Sequence, residues 1–201
     1  MIKNPYPGKF IVFEGLDGAG KSTQALRLLD YLRDEKEIRS HYTSEPTPYL
    51  IGGLIRSQIH GDWQSGNECL QLLFSADRLY HLEKEVIPLL KEGVHVLCDR
   101  YFLSTAAYGE DMEWLLELNQ KALLPDIIFL LEITPQKSME RIRSNRTGGI
   151  HLFEKEQVLE RVASRYSVLK ERFADIIVPI DAERNIDEVA AEIRKIVEER
   201  L

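Results

Sequence analysis

The spacing Gly15-x-x-x-x-Gly20-Lys21-Ser22 is suited to holding phosphate. Glycines let the chain bend, so that backbone N–H groups converge on an anion at a helix N-terminus, where the helix dipole already favours negative charge. Lys21 reaches the terminal phosphates of a nucleotide in such a loop, and the Ser22 hydroxyl is placed to ligate magnesium. The flanks agree: an apolar run from Phe10 to Phe13 enters the loop and a helical composition leaves it, as expected of a buried strand followed by a helix.

Four further clusters carry chemistry. Asp99-Arg100-Tyr101 follows the apolar run Val94–Leu97, so these residues are expected at the C-terminal edge of a second strand, where open parallel sheets bind ligands. There Asp99 lies beside the phosphate loop, adding a contact to magnesium through water. Arg100 points at a substrate phosphate, for which its planar fork is well matched. Phe74 and Arg78 are four residues apart on one long helix and share a face, giving a ring to stack on a base and a cation for its edge or its phosphate. Phe74 alone would read as core. Ser44-Glu45-Pro46 ends another strand, with Arg56 one helix further on. Finally, Arg141, Arg143 and Arg146 precede a polar stretch with Gly148-Gly149 and then Glu154. A charge run of this kind is commonly a solvated face. A lid closing over a phosphoryl donor, however, needs cations, and the phosphate loop contains no arginine.

The elements that must position these residues alternate along the chain. Helices are expected over 22–35, 51–59, 67–91 (its end kinked by Pro88), 101–109, 112–123, 135–143, 154–174 and 186–199. Strands are expected over 10–13, 39–44, 94–97, 127–131 and 176–180, and residues 61–66 read as an exposed loop. Several strands are continuous apolar runs, which implies a five-stranded parallel sheet covered by helices on both faces, a three-layer α/β/α fold. One domain, residues 1–201, with a short mobile lid at about 143–153, is the simplest division.

Composition sets further bounds. A net charge of −7 argues against a nucleic-acid-binding surface but leaves room for a local basic pocket around a small anion. Only Cys69 and Cys98 are present, and the five histidines have no metal-ligand spacing, which points to the reducing cytoplasm and to neither a disulfide framework nor a zinc site. No leader-like segment and no apolar run near the ~18 residues of a membrane span is evident. A guanine-reading Asn-Lys-x-Asp is absent, and the only Asp-x-x-Gly lies inside the loop at Asp17–Gly20, against a GTP-dependent switch.

At these residues the chain resembles the thymidylate kinase family, P-loop enzymes that pass the γ-phosphoryl group of ATP to dTMP. The matching stretches are Phe13 to Thr23, Glu45-Pro46, Ile55-Arg56-Ser57, Leu73 to Arg78, Asp99-Arg100-Tyr101, Leu103 to Tyr108 and Pro125-Asp126. The resemblance implies a P-loop NTP hydrolase type fold, magnesium as cofactor, ATP as co-substrate and a homodimer. Gly15, Leu16, Asp17, Gly18, Ala19, Gly20, Lys21, Ser22 and Thr23 would hold ATP, with Asp17 also taking the sugar 3′-hydroxyl of dTMP. Phe74 would stack on thymine, Arg78 and Thr105 would address its edge, and Tyr108 would pack under the deoxyribose. Arg56 and Arg100 would hold the acceptor phosphate, and Glu45 would sit near it and the magnesium shell. With Gly18-Ala19 in the loop, the catalytic arginine would come from the lid, as Arg143 or Arg146, beside Lys21 and Arg100. The chain departs from the family at Ser44, where an arginine is common, at Gly109, where a glutamine is frequent, and at His151, where an acidic residue often precedes the lid glutamate, here Glu154. The nearest alternative is a kinase acting on another small (deoxy)nucleotide or deoxynucleoside.

Overall fold

A computed structural model describes residues 1–145 and 156–200. Strand β2 (Phe10–Gly15) is the central element, and all six of its residues are buried. It pairs in parallel with β4 (His95–Asp99) and β6 (Ile127–Glu132), while β3 (Ser40–Ser44) and β7 (Ile177–Asp181) form the outer strands of a five-stranded parallel sheet. A strand buried on both faces is expected to be mostly apolar, which explains the unbroken run Phe10–Phe13 and makes the buried Glu14 that follows it an exception.

Helix α1 (Lys21–Asp30) packs with α9 (Ile186–Arg200), joined at the surface by the Arg27–Asp187 ion pair at 2.6 Å. Helix α5 (Phe102–Tyr108) packs with α8 (Glu156–Arg172) and with α3 (Asn67–His81), while α2 (Leu50–His60) lies against α3. The three-layer arrangement expected from the alternating pattern is therefore present. Asp126 fixes its centre: its Oδ2 accepts from Phe10 N (2.7 Å) and Asn4 Nδ2 (2.6 Å), tying the entry of β6 to that of β2.

The long helix expected over 67–91 is continuous but not uniform. A π-helical turn at Leu82–Val86 joins α3 to α4 (Ile87–Lys91). Pro88 lacks an N–H and crowds the carbonyl four residues before it, so a widened turn just upstream is where the helix can absorb it. A similar π turn at Tyr31–Glu35 extends α1.

One expected boundary is wrong. The helix expected over 112–123 ends at Leu118, as α6 (Met112–Leu118). Asn119 is buried and closes the helix: its backbone N (3.2 Å) and its Nδ2 (2.7 Å) both donate to Leu115 O, and the next amides turn back by three residues, Gln120 N to Glu117 O and Ala122 N to Asn119 O. The chain then turns, and β5 (Leu123–Leu124) pairs in parallel with β1 (Ile2–Lys3), a ribbon that local pattern does not announce. Helix α7 (Pro135–Asn145) runs into the proposed lid, most of which, including Arg146, His151 and Glu154, lies outside the described residues.

Candidate active site

The phosphate loop joins β2 to α1. Gly15 takes φ +138°, and a Cβ there would stand 2.4 Å from Leu131 O, so both conformation and space require glycine. Gly18 takes φ +75° and lies against α7, where a Cβ would come within 3.0 Å of Ser138 O. Helix α7 braces the loop further: Ser138 Oγ donates to Asp17 O (2.6 Å), and Arg141 donates to Gly18 O (3.4 Å) and Ala182 O (2.8 Å). Arg141 is thus a support behind the loop, not one of the lid cations suggested by the charge run, whereas Arg143 is exposed on the same helix.

Lys21 is buried, and its Nζ donates to Gly15 O (3.2 Å) and Leu16 O (2.8 Å). Burial, reinforced by repulsion from Arg100, pulls its pKa down to about 8. Beside it, Ser22 Oγ donates a short hydrogen bond to Asp99 Oδ2, while Asp99 Oδ1 is buried with no partner among the described residues. Two hard oxygen donors, one with unused acceptor capacity, at the start of α1 fit magnesium. A second set of ligand-type groups, Glu45, His81 and Cys98, is also buried together. It suits a cation poorly, because the Arg78 guanidinium already stands 2.8 Å from Glu45 and burial pushes the Cys98 thiol well up.

The register Phe13↔Asp99 brings the end of β4 alongside the loop. Arg100 occupies the left-handed region at φ +69°, which costs a side-chain-bearing residue roughly 1–2 kcal/mol. Glu14, a carboxylate inside an otherwise apolar strand, holds this turn. Its Oε1 accepts from Tyr101 N (2.8 Å) and Ser104 N (3.0 Å), and its Oε2 accepts from Ser104 Oγ (2.5 Å) and Tyr166 Oη (3.0 Å). Burial raises the pKa of Glu14, and the Ser104 hydroxyl and the Arg100 charge oppose that rise. Held this way, Arg100 pairs with Asp17 Oδ1 at 2.5 Å, donates to Ser104 Oγ at 2.9 Å, and lies 5.4 Å over the Tyr108 ring. Glu14 was not singled out in the sequence; its one signal was a charge interrupting a buried run.

Phe74 and Arg78 do share a face, and both line a cleft with Thr105, Tyr108, Arg100 and Asp17. Arg78 is fully buried: Nη1 donates to Asn119 Oδ1 (2.6 Å) and Nη2 to Thr105 Oγ1 (2.9 Å). Nη2 also stands 2.8 Å from Glu45 Oε2, an ion pair by proximity rather than an aligned hydrogen bond, and the guanidinium lies 5.0 Å over the Tyr101 ring. Asn119, which orients this fork, carried no sequence signal. Arg56 donates to Pro46 O (3.0 Å) and to Thr47 O, and Asp77 accepts from Thr47 N (2.8 Å) and Oγ1 (2.6 Å), so the Glu45–Thr47 turn is anchored from two helices.

A second groove runs along the loop past Gly18, Lys21, Ser22 and Asp99 to Arg56. It shares Asp17, Glu45 and Arg100 with the cleft under Phe74, so the two cavities meet head to head. An otherwise acidic chain thus gathers Lys21, Arg56 and Arg100 along this groove, the local positive field that a small anion needs.

Comparison with known proteins bears on the same residues. A profile of the thymidylate kinase family matches residues 13–193. A thymidylate kinase of Desulfotalea psychrophila is 42% identical over 193 residues, covering 93% of this chain and 93% of its own. Probable thymidylate kinases of Thermococcus kodakarensis (39% identical; 94% of this chain, 97% of its own) and Staphylothermus marinus (37%; 96% and 96%) match over similar lengths. Because the match runs across the loop, the acceptor edge and the aromatic cleft alike, the chain belongs to the thymidylate kinase family.

Proposed function

We propose that the protein transfers the γ-phosphoryl group of ATP to dTMP by direct in-line displacement, with the loop groove taking the donor and the cleft under Phe74 taking the acceptor. The activity is that of the family, ATP:dTMP phosphotransfer. The observation that carries the assignment of the two sites is their junction at Asp17, Glu45 and Arg100. An oxygen of the dTMP phosphate attacks the γ-phosphorus as the bond to the β,γ-bridging oxygen breaks. No covalent enzyme intermediate is needed, because positioning and charge neutralisation dominate phosphoryl transfer.

In this reading residues 15–23 hold the ATP phosphates and Lys21 neutralises charge on the transferring group. Arg100 and Arg56 hold the acceptor phosphate near Glu45, and Asp17 takes the 3′-hydroxyl. Phe74 stacks on the base, Arg78 and Thr105 face its edge, and Tyr108 lies under the sugar where a 2′-hydroxyl would crowd it. Ser22 and, through water, Asp99 would hold Mg2+, which supplies charge neutralisation between the phosphates when bound. Arg143 and Arg146 supply the lid cation. No helix among the described residues is long and apolar enough to cross a membrane, and we place the enzyme in the cytoplasm, where its nucleotide substrates are.

The exposed Leu50, Leu54, Leu72, Leu79 and Tyr80 of α2 and α3 support a homodimer formed through this helix pair. Sedimentation should return the mass of two chains; a single-chain mass at working concentration contradicts the dimer. In a coupled assay with ATP and magnesium, dTMP should clearly outperform dUMP, dCMP and thymidine. A better rate with any of these would replace dTMP as the substrate. Lys21→Ala, and separately Arg143→Ala with Arg146→Ala, should each lower turnover by about 10²–10³-fold or more while dTMP affinity changes by less than about threefold. Near-normal turnover in the double variant would remove the lid assignment.

A further inference from the structure

Three buried polar atoms of cleft-lining residues make no hydrogen bond among the described residues: Glu45 Oε2, which has its ion pair with Arg78, and two with neither, Gln71 Oε1, an acceptor, and Arg78 Nε, a donor. Both residues are 1% exposed and line the cleft, seven residues apart on α3 with Phe74 between them, so all three share one helical face. The Gln71 amide is oriented by Nε2, which donates to Asn67 Oδ1 at 3.2 Å. The two terminal nitrogens of Arg78 are already engaged by Asn119, Thr105 and Glu45, leaving Nε–H.

Buried polar atoms are seldom left unpaired, since each costs desolvation without return. The end of α5 leaves this amide its place: a Cβ at Gly109 would stand 3.3 Å from Gln71 Cδ and 2.1 Å from Leu115 Cδ1, so a side chain at position 109 would require both neighbours to shift.

We propose that Gln71 is a specificity-determining residue that reads the pyrimidine edge. Its Oε1 accepts from N3–H of the base while Arg78 Nε–H donates to O4, so the pair complements the imide edge of thymine and uracil. Cytosine presents the reverse pattern, an unprotonated N3 and a 4-amino group, and would set acceptor against acceptor and donor against donor. The inference rests on the dTMP-binding assignment above and adds the residue that excludes cytosine. A site built to pair with a substrate donor rejects an analogue lacking it far more strongly than a shape match alone does.

The test is kcat/KM for dTMP, dUMP and dCMP in Gln71→Met, which keeps length and volume but removes the acceptor. The values for dTMP and dUMP should fall together by about ten- to hundredfold, and that for dCMP should stay within about threefold, so the dTMP:dCMP ratio drops while dTMP:dUMP holds. A folded Gln71→Met protein with the wild-type dTMP:dCMP ratio would overturn the proposal and leave the functional reading intact. A wild-type protein inactive on dTMP would overturn both. Should the variant not fold, calorimetric titration of the wild-type protein with N3-methylated dTMP decides: binding at least about tenfold weaker than dTMP supports the assignment, and equal binding overturns it.

Discussion

The Glu14 carboxylate leaves β2 one residue before the phosphate loop and accepts hydrogen bonds from Tyr101 N, Ser104 N, Ser104 Oγ and Tyr166 Oη. The strand that carries the donor loop is thereby bonded directly to the turn that carries Arg100. Burying a carboxylate costs several kcal/mol, and the raised pKa of Glu14 reflects that cost. Hydrogen bonds to a charged acceptor contribute about 1.5–3 kcal/mol each, enough in combination to offset it and to hold Arg100 in its left-handed conformation. Everything beyond the turn inherits this constraint: Arg100 reaches Asp17 in the loop, and Ser104, at the start of α5, positions the helix that bears Thr105 and Tyr108.

The charges around the cleft are paired. Arg78 is buried with Glu45, the partly exposed Arg100 is paired with Asp17, and His81 Nδ1 stands 3.2 Å from the other Glu45 oxygen. A buried ion pair contributes little net stability, but removing one partner leaves an uncompensated charge and is costly. The arrangement therefore fixes side-chain orientation more than it stabilises the fold. In the proposed arrangement of the two nucleotides, the local cations are held by carboxylates and carbonyls with which phosphate would compete.

Much of this was legible in the sequence because it is local. The apolar runs of β2, β4 and β6, the glycine spacing of the loop and the four-residue separation of Phe74 and Arg78 follow from periodicity alone, and the structure brings Lys21, Asp99 and Arg100 together as expected. What escaped reading depends on contacts between distant segments. Asn119 ends α6 early and orients Arg78 across 41 residues; Ile2–Lys3 finds Leu123–Leu124; Glu14 finds Ser104. Arg141 and Arg143 are indistinguishable as members of a charge run, and only the packing of α7 on Gly18 separates a brace from an exposed cation. Gln71, one turn before Phe74, was invisible for the same reason, since its significance lies in an unpaired oxygen rather than in its place in a motif.

The dependence of the acceptor site on Glu14 is open to one direct measurement, calorimetric dTMP binding by Glu14→Ala and Glu14→Gln. Alanine strips the partners from Tyr101 N and Ser104 N and frees the Arg100 turn, so dTMP affinity should fall at least about tenfold, while glutamine, which keeps an acceptor oxygen for both N–H groups, should stay within about threefold of the wild-type protein. A folded Glu14→Ala protein that binds dTMP as tightly as the wild type would show that the turn holds itself, and the account of how this site is assembled would be wrong.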